Sequence, residues 1–337
     1  MRKIAFILII LIPLYSCEKT NHIDRTPGNP NTSFKLKILE GYFVTSMAFD
    51  SKGNAWIGTF KQGLIKYNPQ ETVVYNSTNS LLQSDLVIWD IAVDSKDNVW
   101  IGCDGIIKYD GNNFTQYNTS NSPIPEDFVS SIAIDSKDNV WFTSCRFKEG
   151  GFVKFDGTNW EVYTPDNSDL PVNSVQSIAI DNYDNVWLAL SEIVHTSYLI
   201  KISGTSWKTY TSKDLGFVPY YFGNIDINSQ NKICGAIDYS YSSLWVNPGP
   251  QAFVFDGHNT EQLRINDMAR IKSLTVDNED NLWCAISTGY GNGYAVYNGE
   301  LWIVDDSTYR ESSVFIIKQA NDKRIWLGTG DGIYIND

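Results

Sequence analysis

Val175-Gln176-Ser177-Ile178-Ala179-Ile180-Asp181, then Asn182-Tyr183-Asp184-Asn185, then Val186-Trp187-Leu188-Ala189, is the stretch that decides the fold, because the chain repeats it. The pattern is apolar-x-x-Ile-Ala-apolar-Asp, a short polar turn, and x-Trp-apolar. It recurs from Val44, Ile88 and Val129, and more loosely from Phe222, Ile271 and Val314. Six of the seven copies carry a Trp in one column (Trp56, Trp100, Trp141, Trp187, Trp283 and Trp326), and Cys234 fills the remaining place. Successive members of that column lie 44, 41, 46, 47, 49 and 43 residues apart. A period of roughly 40–50 residues built from short strands is the mark of β-propeller blades. Seven copies predict an all-β fold, a seven-bladed β-propeller of four-stranded antiparallel blades over residues 34–337.

The second copy shows how one blade folds. Residues 88–94 alternate as a half-buried strand, and Ser95-Lys96-Asp97-Asn98 is a turn whose Asx side chains can bond their own backbone. Val99-Trp100-Ile101 is the second strand and Gly105-Ile106-Ile107-Lys108-Tyr109 the third. Asp110-Gly111 is a hairpin signal, and Phe114-Thr115-Gln116-Tyr117 is the outer strand. The chain ends where the third strand of the last blade should turn into a fourth. The alternating segment 34–39 upstream of the first copy predicts that the N-terminal strand completes this blade and removes an open sheet edge. The residue after the first-strand Ile is small in four copies (Ala48, Ala92, Ala133, Ala179), as crowding near the axis demands. Asp226, Thr275 and Lys318 break that column, which implies either an internal polar network or a channel-facing site.

Residues 1–16 read as a signal peptide. Arg2 and Lys3 precede an apolar run over 4–14, too short to span a bilayer. The run ends in Leu14-Tyr15-Ser16-Cys17, which resembles a bacterial lipobox and implies lipidation at Cys17. Residues 17–33 then form a lipid-anchored linker. The expected location is extracytoplasmic, on the outer membrane of a Gram-negative cell envelope. Removing Arg2 and Lys3 leaves 24 basic against 39 acidic residues, a balance that repels phosphate backbones and argues against nucleic acid. Cys103, Cys145, Cys234 and Cys284 fall on or just after the Trp-bearing strands of different blades and read as buried free thiols.

Turns between strands one and two, and three and four, are short and nearly constant. The variable joints (145–150, 191–197, 237–251, 287–293) and blade linkers (76–86, 118–128, 211–221) all emerge on the opposite face, where binding residues usually sit. That face carries the candidate binding residues Trp89, Arg146, Tyr220, Tyr221, Tyr239, Tyr241, Trp245 and Tyr290. Exposed rings beside Asn, Asp and Arg suit sugars, whose C–H faces stack while their hydroxyls hydrogen-bond. The plainer reading is that these rings pack the long loops onto the propeller.

Catalytic signals are sparse. Of three histidines only His195 lies in a variable loop, and no nucleophile elbow or phosphate-cradling loop occurs. The Asp-Ser-Lys-Asp-Asn runs lack the ligand pattern of a calcium loop, and no catalytic residue, metal or cofactor is assigned. The linker-plus-strand phrase closely resembles the two-component regulator propeller repeat, most clearly at Tyr163-Thr164-Pro165-Asp166-Asn167-Ser168-Asp169-Leu170-Pro171, residues 175–181 and Asn185-Val186-Trp187. The resemblance implies a sensor-type propeller that meets glycan fragments. With no transmembrane helix, kinase or immunoglobulin-like tail after the ring, signalling is not carried over. The expectation is a monomeric, membrane-anchored, non-enzymatic binding propeller, with oligosaccharide as the ligand class. Its rivals are a protein-interaction scaffold of an envelope complex and a propeller lyase or lactonase.

Overall fold

Seven four-stranded antiparallel sheets follow one another along the chain, and in blades one to six each is built from consecutive strands. The computed structural model describes residues 23–24, 34–83, 86–146, 149–191, 197–219, 221–238, 249–265, 269–288, 291–305 and 313–336. Blade one runs Val44–Phe49, Ala55–Thr59, Leu64–Asn68 and Glu71–Tyr75 from the axis outward. Blade seven takes Val314–Gln319, Ile325–Thr329 and Gly332–Asn336 from the C-terminus and its outer strand, Phe34–Ile38, from the N-terminal side. Phe34 pairs Asn336 and Ile38 pairs Ile333, so the ring closes as the repeat count predicted. The strand stops one residue short of the expected 34–39 because Leu39 adopts a positive φ of 53°. Lys37 anchors the closure through Asp331, 2.8 Å away.

Sequence reading missed one addition. Ile23–Asp24 lies parallel to Trp302–Ile303, as a fifth strand on the outer edge of blade six. Parallel pairing there means that the chain enters from the face of the constant turns.

The Trp column is core. Trp56, Trp100, Trp187, Trp283 and Trp326 are almost wholly buried, and Trp141 nearly so. Each of the first four indoles in chain order, and that of Trp283, donates its N–H to the Asp that ends the first strand of its own blade. The same carboxylates take the N–H groups of the following turn, as Asp94 takes those of Lys96 and Asn98. In blade five Cys234 replaces the Trp and Asn228 the Asp, and the Asn228 amide oxygen still accepts the turn N–H groups of Gln230 and Lys232.

Blades lock to one another near the axis. Asp90 accepts the Ile132 N–H at 2.8 Å, Ser131 that of Ile178 at 3.1 Å, Ser177 that of Ile225 at 3.1 Å, and Asn224 that of Leu274 at 2.8 Å. The turns repeat the pattern at the rim. Ser51, Ser95 and Ser136 each give a backbone N–H and a hydroxyl to the Asp of the next turn, namely Asp97, Asp138 and Asp184. Those three aspartates hold φ near +60°, which a short polar side chain tolerates. Blades also approach closely at Gly58, where an added Cβ would meet Ile88 Cγ2 at 2.6 Å.

Candidate functional site

The first strand of every blade starts at the variable face and ends at the constant turns. Residues at its beginning therefore rim the axis on the variable side. Trp89 sits there in blade two with 43% of its surface exposed, its backbone N–H held by Gly102 O at 2.9 Å. Its ring lies 5.3 Å from that of Phe128, and the Arg146 guanidinium sits 5.9 Å above Phe128. Trp89 and Arg146, two candidates from the sequence, thus meet on one shared ring.

A second aromatic group continues around the same rim. Phe43 packs 5.4 Å from Phe60 and 4.5 Å from Phe315, joining blades one and seven. Phe60 is 44% exposed and pairs through its backbone with Val87, two residues before Trp89. Lysines cover the ends of the belt, with Lys61 Nζ 5.4 Å from the Phe60 ring and Lys272 Nζ 4.6 Å from Phe315. Phe43, Phe60, Phe128 and Phe315 were not among the expected site residues. Their signal was available: Phe43 directly precedes a first strand, Phe315 lies near the start of one, Phe60 follows a second strand, and Phe128 ends a variable blade linker.

Of the remaining candidates, Tyr221 is half-buried and donates its hydroxyl to Gln176 Oε1 at 2.5 Å, which ties it into the blade wall. Tyr220, Tyr239, Tyr241, Trp245, Tyr290, His195 and Cys17 lie outside the described residues.

The opposite mouth of the axis is a polar funnel of about 650 Å³, lined by Ala133, Ala179, Asp226, Asn228, Lys318 and Gln319 among others. Of the two readings of the broken small-residue column, the polar network is present here. Asp226 accepts the Thr275 hydroxyl at 3.0 Å and the Val276 N–H at 2.9 Å, a true network, while still facing the cavity. Across the axis, burial pushes the Asp90 carboxyl up to about 6, partly opposed by the Lys318 charge and by N–H bonds from Ile132 and Ile91. Among the described residues no cluster of three His, Cys, Asp or Glu could hold a metal ion. No helix among them is long and apolar enough to cross a membrane.

The family model for the two component regulator propeller matches residues 38–61, one copy of the repeat. No curated protein matches the sequence. Among solved structures, the chain is similar to the extracellular domain assigned to a hybrid two component system of B. thetaiotaomicron (18% identity, TM-score 0.67), covering 90% of this chain and 39% of that one. A second such domain from that organism gives 18% identity and a TM-score of 0.66, over 89% of this chain and 39% of that one. The chain thus spans about 39% of the length of the sensor domains it matches. A catalytically inactive virginiamycin B lyase from Staphylococcus aureus, solved with quinupristin, matches at 14% identity and a TM-score of 0.69, over 90% of this chain and 99% of that one. At these identities the shared property is the propeller fold.

Proposed function

We propose that this propeller is a membrane-anchored, extracytoplasmic binding protein that takes oligosaccharide fragments on its variable face without transforming them. The observation that carries the reading is the aromatic belt of Phe315, Phe43, Phe60, Trp89 and Phe128, in which Phe60 and Trp89 are exposed and the other three half-buried, bracketed by Lys272, Lys61 and Arg146. Rings half-open to water on a rigid scaffold offer flat apolar faces to sugar C–H groups, and the cations beside them supply donors to hydroxyl and acidic substituents. Likeness to extracellular sensor domains supports an extracytoplasmic setting.

The anchor would favour this arrangement. With Ile23–Asp24 held on the edge of blade six, the six residue steps from a lipidated Cys17 to Ile23 can span at most ~22 Å. The chain enters from the constant face, so that face would look toward the bilayer and the aromatic belt away from it.

Immobilised glycans probed with the parent protein and with Trp89→Ala and Phe60→Ala variants test the reading. Each substitution removes a half-exposed ring, so the fold should hold while affinity drops about ten- to thirty-fold, the equivalent of about 1–2 kcal/mol. Silence across the array, or a bound glycan that both variants retain fully, would contradict it.

A further inference from the structure

We infer that the seam between blades seven and one holds a second site, one that accepts the carboxylate of a small organic acid. In five blades the buried indole N–H is satisfied by an aspartate of its own repeat. Blade seven keeps the Trp and replaces that aspartate by Ala320. Trp326 is 5% exposed, and its Nε1 has no hydrogen-bond partner. The backbone register is unchanged, since Lys318 pairs Trp326 as Ala48 pairs Trp56. The orphaned N–H is therefore directed toward the Ala320 methyl, where the other blades place a carboxylate.

What stands there is a cavity of about 510 Å³, lined by Ala320 and Trp326 together with Phe49, Tyr67, Leu36 and Arg324 among others. A second deletion opens the same space. In blades one to four a third-strand lysine covers the indole face, as Lys66 does Trp56 and Lys108 does Trp100. The residue paired with Trp326 is instead Ile335. Blade seven has thus lost both charged groups that close this space elsewhere, while keeping the donor they surround. The turn needs no help, because Asp322 already takes the Arg324 N–H at 3.1 Å and its side chain. The unmet demand is a single acceptor at the bottom of a ring-walled pocket, with Lys52 at the rim.

The ligand class follows from that demand. A carboxylate supplies the acceptor that the repeat omits, and a flat apolar or sugar body can lie in the cavity against Phe49 and Tyr67, whose rings pack edge-on to Trp326 at 5.3 and 6.0 Å. Free aromatic acids and glycan uronates share this chemistry. Because Leu36 belongs to the closing strand, an occupant would also tie the two ends of the ring together. The site lies on the constant face and is independent of the aromatic belt.

The test uses the full chain labelled with ¹⁵N, whose indole N–H resonances are followed while benzoate or galacturonate is added. Benzamide and galactose serve as neutral counterparts, and Trp326→Phe identifies the resonance. The Trp326 signal should move with at least one acid, saturating below ~10 mM, and with neither neutral analogue. Response to benzoate alone assigns the site to apolar acids; response to galacturonate alone assigns it to uronates. Ala320→Asp restores the acceptor, so it should shift the resonance without ligand and weaken acid binding at least ten-fold. An undiminished acid response in Ala320→Asp, or no response to either acid in the parent, overturns the proposal. Should Ala320→Asp fail to fold, Trp326→Phe keeps an aromatic ring, smaller than the indole, and removes the donor. Acid-induced thermal stabilisation that survives in it is equally fatal.

Discussion

Replacing Asp94 by Ala removes the acceptor on which one blade is centred, and the structure sets the size of the effect. Its Oδ2 accepts the Trp100 indole at 3.1 Å and the Asn98 amide at 2.7 Å, while Oδ1 accepts two turn N–H groups at 3.0 and 2.9 Å. Trp100 is 3% exposed and Asn98 9%, so neither donor can turn to bulk water. A buried donor left unpaired costs about 1–3 kcal/mol, which puts the sum near 3–5 kcal/mol once the exposed part of the turn is resolvated. Asp94→Asn keeps an acceptor for the indole and should cost about half as much. Urea unfolding of the parent, the two single variants, Trp100→Phe and the double variant forms a cycle. Asp94→Ala should cost about 1–2 kcal/mol less when Trp100 is already Phe, because the stranded N–H is gone. The protein should still fold, since blade seven already lives with this deletion at Ala320. A loss below ~0.5 kcal/mol, or no coupling to Trp100, would refute the assignment of the carboxylate as the keystone of the repeat.

Four further outcomes are expected. The folded Asp90 carboxyl sits at about 6, above its unfolded value of about 3.9, so folding favours its protonated form. Stability should therefore rise as pH falls from 7 through 6 toward 4, and Asp90→Asn should flatten that rise; the same slope in both proteins would exclude Asp90 as its source. Hydrogen bonds from Ser51, Ser95 and Ser136 hold Asp97, Asp138 and Asp184 below the usual carboxylate range, so their contribution disappears only in stronger acid, below about pH 4. Deleting residues 34–38 strips blade seven of its outer strand and should give an aggregating protein in size-exclusion chromatography; a soluble, equally stable product would mean closure does not need that strand. Burial raises the Cys103 thiol to about 12 and the Cys145 thiol to about 11, so in a Cys17→Ser chain a thiol reagent at pH 8 should find no reactive group until denaturant is added.

Fold and site were legible to different depths, for a physical reason. Blade number, turn chemistry and the closing strand follow from local pattern, because each blade buries one Trp, one Asp-led turn and alternating apolar residues within about 45 residues of chain. The aromatic rim was half legible. Trp89 and Arg146 stood out on variable-face segments, but Phe43, Phe60, Phe128 and Phe315 fall at strand ends, where an apolar residue reads as core until the ring geometry places it at the axial mouth. The seam pocket depends on residues 36, 49, 67 and 320–326 meeting in space, and no local window contains them.

Departures from the repeat therefore need sorting by whether a neighbour compensates. In blade five Asn228 and Cys234 change together, and neither strands a partner. At the axis Asp226 breaks the small-residue column, and Thr275 and Val276 of the next blade answer it. Asn224 replaces the serine of its column and still bonds Leu274, now through both atoms of its amide. Ala320 is different in kind, because it removes an acceptor and leaves the Trp326 donor buried and unanswered beside open volume. An uncompensated loss of that kind costs about 1–3 kcal/mol for as long as the site is empty. A ligand that supplies the acceptor recovers that cost on binding, which makes the least regular blade of the ring the place where the fold itself favours an occupant.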